Sequence, residues 1–190
     1  MNTYEVVKYI HLLFLLGAFG AAAVVWACLF NLRAAKTLAD AAPWGALAGK
    51  LENTFPVAIL GLFGSGAYMT SDAWTWSTRW IDVSIAGLAL MFVQGGGVAA
   101  RRAHALKHAL IENGPGPLGE QARRMTRDVA LWVVAFANPT VALGIVWNMT
   151  QKPGLGEAIA AVVVSYAVGA ALAVWLTRSP APEAAAVSQT

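Results

Sequence analysis

His11 lies inside an unbroken apolar run, Val6 to Leu32, and an imidazole in that setting is expensive unless it has a partner. A stretch of ~20 apolar residues already spans a bilayer core of roughly 30 Å, so this run is read as a membrane helix. A neutral imidazole can hold haem iron or Cu(I), and both ions accept soft thioether sulfur. Met69 and Met149 are the soft side chains expected at a comparable depth. His11, Met69 and Met149 therefore form the candidate cofactor-binding set, with His11 as the metal ligand. The competing reading gives His11 a hydrogen bond to a backbone carbonyl or a Thr hydroxyl across a helix interface. The two methionines then merely fill space.

Other polar residues fall where they could assist. Tyr4, Lys8 and His11 stand at i, i+4 and i+7, on one helical face. Lys8 needs an acidic partner unless it snorkels outward, and Asp82 is the candidate by side and depth. Asn138-Pro139 falls in the middle of the fourth apolar stretch, where the proline frees the Ala135 carbonyl and creates a polar spot. His104 and His108 make an i, i+4 pair able in principle to clamp a metal ion. Arg101, Arg102 and Lys107 surround them, which favours a solvated basic face. No P-loop, nucleophile elbow, paired-cysteine site or zinc-protease box is present.

These residues must be positioned by membrane helices. The 190-residue chain is 58% hydrophobic and 12% charged, too apolar for a soluble domain. Five spans are drawn: Val6 to Leu32, Thr54 to Thr70, Trp80 to Ala100, Val129 to Met149 and Ala158 to Leu176. All are expected to be helical, since a backbone in lipid must satisfy its own hydrogen bonds. Ten of the 13 Lys and Arg follow the first, third or fifth span, which predicts the N-terminus outside and the C-terminus in the cytoplasm. The net charge of +3 then reflects topology, and no motif supports nucleic-acid binding.

The connection from Arg101 to Asp128 is broken at Asn113-Gly114-Pro115-Gly116-Pro117, and its halves are expected to extend the third and fourth helices. Gly17, Gly20 and Cys28, and likewise Gly61 and Gly64, are expected to let helices approach closely, with Cys28 a buried small residue. Trp74, Trp76 and Trp80 are expected in the headgroup belt. The Pro-, Ala- and Ser-rich tail from residue 179 is expected to be disordered.

The run Val7-Lys8-Tyr9-Ile10-His11-Leu12-Leu13 with Gly17 and Gly20 carries a resemblance. So do the Pro56 to Gly66 span, Trp80 at the head of the third span, and Asn148-Met149-Thr150-Gln151-Lys152-Pro153. Together they resemble a domain-of-unknown-function family of bacterial integral membrane proteins. That family is similar to the copper-resistance D membrane domain and, more distantly, to the HemJ-type protoporphyrinogen oxidases. The resemblance covers Tyr4 to Pro153. It implies that His11 matches a first-span histidine proposed as a haem ligand. It also implies that Arg127, Asn138-Pro139 and Lys152-Pro153 match a closing Arg, Asn, Pro and Lys-Pro pattern. The chain departs from the oxidases in lacking an acidic residue beside Asn138 and a lysine within the third span, and both departures count against porphyrinogen oxidation.

The expected fold is an all-α polytopic bundle, with a four-helix membrane core over 1–153, a fifth helix over 154–178 and a tail over 179–190. The expected setting is a bacterial cytoplasmic (inner) membrane, with the lipid bilayer as the principal partner and a homo-oligomer or membrane partner subunit as a further one. Three functions are carried forward. They are a haem b-binding, redox-linked protein built on His11, a copper uptake component using His11 and the outer methionines, and a non-catalytic accessory subunit. Tyr4, Lys8, Asp82, Asn138 and Lys152 are the other polar candidates, and whether the chain turns over a substrate is left open.

Overall fold

A computed structural model describes residues 2–179 and, among them, contains helices and connections but no strand. Of the expected disordered tail, all but Ser179 lies outside the described residues. Eight helices follow one another: α1 (Thr3–Ala34), α2 (Leu38–Leu51), α3 (Thr54–Ala73), α4 (Arg79–Val93), α5 (Ala100–Asn113), α6 (Glu120–Thr126), α7 (Val129–Gln151) and α8 (Leu155–Arg178). A π-helical turn, Gln94–Ala99, joins α4 to α5 without a break. Four stretches are long and apolar enough to cross a membrane: α1, the α4–α5 rod, α6 with α7, and α8. They make the chain a multi-pass membrane protein. α3, drawn from sequence as another span, is a 20-residue helix whose apolar character is diluted by Gly61, Gly64, Ser65 and Gly66.

The helices are longer than the apolar runs because polar caps add turns at their ends. The Asn2 side chain accepts the Tyr4 amide at 3.2 Å and starts α1 ahead of Val6. Thr37 and Asp40 form a reciprocal capping box that starts α2, within what reads in the sequence as a plain connection. Those Thr37 hydrogen bonds, the hydroxyl first and then the amide, hold the exposed Asp40 carboxyl below its ordinary range.

The long connection is more structured than expected. Its first half continues the third span as α5, ending where Gly114 takes a positive φ of 66°. The Asn113 side chain then ties the loop, accepting the Gly119 amide at 2.6 Å and donating to the Pro117 carbonyl at 3.1 Å. The second half does not simply extend the fourth span. It forms the separate α6, and Asp128 restarts the chain as α7 by accepting the Leu131 amide at 2.9 Å. Leu38 and Leu118 amides bond to the Gly116 and Lys36 carbonyls, both at 2.9 Å, so the two loop-side connections are laced together.

Two helix pairs frame the bundle, α1 with α3 and α7 with α8, and α4 packs against both members of the second pair. The α7–α8 contact is the closer. A Cβ on Gly169 would lie 2.7 Å from Ala137 Cα, and one on Gly144 would lie 2.9 Å from the Ala161 carbonyl oxygen, so only glycine permits this approach. Gly17 and Gly20 do not serve as expected. Both are exposed with nothing near a notional Cβ, and α1 instead buries Ala21, Ala22 and the fully enclosed Cys28. Large apolar side chains such as Leu16, Leu60, Val93 and Trp175 point outward, the reverse of a soluble globule.

The densest packing lies at the loop side. There Leu29 and Leu32 of α1, Ala41 of α2, Leu106 and Leu110 of α5, and Trp132 of α7 form one apolar cluster.

Candidate functional site

His11 is only 5% exposed although it belongs to a helix with mostly outward-facing neighbours. It packs where α1 meets α3, beside Gly66. The imidazole Cε1 lies 3.6 Å from where a Gly66 Cβ would sit. Phe14, almost one turn on, fills the place of a Gly61 Cβ, which would fall 2.5 Å from its ring. Gly61 thus has the packing role expected of it, whereas Gly64 faces open space.

The hydrogen bonding of His11 is directional. Its Nδ1 lies 2.8 Å from Ser65 Oγ, and that hydroxyl lies 2.5 Å from the Gly61 carbonyl and 3.3 Å from the Leu62 carbonyl. A hydroxyl has one proton, and so short an approach to a carbonyl oxygen requires it there. With Ser65 donating to Gly61, its oxygen accepts from an Nδ1–H of His11. Nε2 keeps its lone pair and has no hydrogen-bond partner among the described residues. The expected partner was a carbonyl or a Thr hydroxyl. A serine takes that place because α3 brings it level with His11.

The other sequence candidates do not all converge there. Met69 follows Ser65 by four residues on α3 and is half-buried, one turn along the same face. Met149 is half-buried near the end of α7. Lys8 is exposed, with its ammonium 5.9 Å above the Tyr4 ring, so those two residues do share a face. Asp82, in the first turn of α4, is exposed, and the expected Lys8–Asp82 pair is not formed. The only ion pairs among the described residues are Arg102–Asp128 and Arg124–Glu120. Lys152 adopts a left-handed backbone, φ 51°, at the end of α7 and sits 4.6 Å above the Trp74 ring. Trp74 in turn meets Trp80 edge to face at 5.5 Å.

Asn138 and Pro139 create a second polar place, away from His11. The Asn138 Nδ2 donates to the Met91 carbonyl at 3.1 Å, beside the π turn. Its Oδ1 is buried without a partner. The Ala135 carbonyl freed by Pro139 is taken by Trp26 Nε1 at 2.8 Å. Sequence reading located that carbonyl but had no means of finding a donor 109 residues away.

Two further features escaped the sequence. Trp26, Phe136 and Trp132 stack nearly parallel, at centroid separations of 5.0 and 5.8 Å. Arg33, read only as a topological charge, is buried over the Trp132 ring and donates to the Leu176 and Ser179 carbonyls. It thereby caps the C-terminus of α8, where the helix dipole favours a cation. Its place directly after an apolar run was the available signal.

Among the described residues, no three His, Cys, Asp or Glu side chains gather to hold a metal ion, so any metal at His11 would need sulfur or non-protein ligands. Comparison of the chain with protein families, curated proteins and solved structures finds no match.

Proposed function

We propose that this chain is a haem b-binding, redox-linked protein of a bacterial cytoplasmic membrane, N-terminus outside, in which His11 Nε2 would hold the haem iron. The observation that carries the reading is the buried imidazole with Nδ1–H committed to Ser65 and Nε2 unbonded. Metal-ligating histidines characteristically donate their second nitrogen in this way, which orients the ring and raises its basicity. Lys8 supports the fit. It stands three residues before His11, carries no acidic partner among the described residues, and would neutralise a propionate. Haem in this position would supply one-electron redox chemistry. The chain itself contributes the donor nitrogen and the Ser65 hydroxyl that orients the ring. The resemblance to HemJ-type proteins supports haem, whereas the missing acidic residue beside Asn138 counts against porphyrinogen oxidation.

Copper uptake is the second reading, favoured by the place of Met69 one turn beyond Ser65 on the same face of α3. It predicts copper-dependent accumulation in vesicles that needs both His11 and Met69. The deciding experiment is the oxidised and reduced absorption spectrum of purified protein expressed with ample haem precursor. The expected result is a stoichiometric Soret band, absent from His11→Ala and weakened in Ser65→Ala. A featureless spectrum from folded protein, or a band indifferent to His11→Ala, would overturn the haem reading. Copper accumulation would then separate uptake from an accessory-subunit role.

A further inference from the structure

His104 and His108, one turn apart on α5, turn their rings toward each other. The ring centroids are 4.5 Å apart and the two Nε2 atoms 3.0 Å apart, with both residues exposed. Two neutral imidazoles can share a single proton across such a gap, and neither ring has another side-chain hydrogen bond among the described residues. The same gap is the bite of a cis chelate. With metal–nitrogen bonds of ~2.0–2.1 Å, donors at this separation subtend roughly 95° at the ion, within reach of tetrahedral, square-planar or octahedral coordination.

The basic surroundings read from the sequence argued against a cation here, and the side-chain contacts reduce that objection. Arg102 is paired with Asp128 at 3.2 Å. Arg101 folds back so that its Nε donates to the Gly97 carbonyl of the preceding turn. Lys107 remains, while Glu112 stands one turn beyond His108 and supplies the opposite charge. The helix also sets the geometry in advance, because residues four apart lie on the same face.

We propose that His104 and His108 form a two-nitrogen site for a borderline divalent transition-metal ion. Cu²⁺ is held more tightly than Zn²⁺, and water completes the coordination. With only two protein ligands the site is open, so it exchanges its ion rather than storing it as a closed structural centre would. It is independent of His11, which lies in another helix, α1. The bound ion would staple the stretch of α5 that contributes Leu106 and Leu110 to the loop-side cluster.

The test is equilibrium competition for Zn²⁺, and separately for Cu²⁺, between a chromophoric chelator and the full chain in detergent with any affinity tag removed. One ion per chain is expected. Loss of an orienting second-shell group alone costs about 10–100-fold in affinity, so His104→Ala and His108→Ala should each weaken binding at least about tenfold. The double variant H108A/A105H keeps two exposed imidazoles but sets them side by side in sequence, where they do not face each other, and should bind as weakly as H108A. Positions 104, 105 and 108 are all exposed, so folding is not at risk. The chelate is overturned if native protein fails to compete for either ion, if either single variant retains native affinity, or if H108A/A105H does.

Discussion

The loop-side end of the bundle and the His11 end are built by different means. At the loop side, four of the largest fully buried side chains, Trp132, Leu32, Thr126 and Cys28, lie close to the α2–α5–α6 cap, and a stack of three aromatic rings runs through it. At the His11 end the buried groups mix polar side chains, His11, Thr70, Ser84 and Asn148, with apolar ones such as Ile81 and Ile145. Thr70 and Ser84 donate to the preceding turn of their own helices, and His11 meets Ser65 of α3. The contrast teaches where polar burial is concentrated. Large aromatic area dominates the first end, while the second carries most of the buried polar side chains, each of which needs a partner.

Four substitutions can break or sharpen this contrast. Trp132→Ala should have the largest effect, about 3–5 kcal/mol, because it empties a fully enclosed site in the dense end. Thermal unfolding in detergent measures it, and a loss no greater than that of the exposed Leu13→Ala would abolish the distinction. Gly61→Ala should follow at about 1–3 kcal/mol, since the added methyl meets the Phe14 ring. Phe14→Leu in the same chain should recover part of the loss, and an absence of rescue would show that the glycine does not act through Phe14.

Ser65→Ala should be milder, about 1 kcal/mol, because it removes one acceptor from a buried Nδ1–H. Its specific signature is a weakened or shifted spectrum of any metal or haem at His11, restored by Ser65→Thr. The smallest effect concerns pH. Asp40 has its folded-state carboxyl pKa depressed by Thr37, so its stabilising contribution is present above the unfolded carboxylate range. That contribution is lost as pH falls through the lower folded value. Asp40→Asn should therefore lower the neutral-pH melting temperature slightly, leave the value at low pH nearly unchanged and so flatten the acid limb. An unchanged acid limb would remove Asp40 from the account.

Particular residues show how far the sequence could be read. The apolar runs predicted where long helices form, with ends off by a few residues because Asn2, Thr37 and Asp128 caps lie outside any hydrophobic pattern. The Asn113–Pro117 break was legible because Gly and Pro impose it locally. α2 was missed although Thr37 and Asp40, at capping-box spacing, announce it. The Lys8–Asp82 pair was inferred from side and depth alone, and neither constraint fixes distance.

By itself the sequence determined that the chain is helical and apolar enough for lipid, that His11 within an apolar run needs a partner, and that Pro139 must free a carbonyl. Each follows from composition, period or covalent structure, which act within a few residues. Only the tertiary structure decided that Ser65 takes the His11 proton, that Trp26 serves the Ala135 carbonyl, and that Arg33 caps α8. These are contacts between distant segments. Which faces meet depends on where glycines permit close approach, a property of two helices at once rather than of either sequence alone.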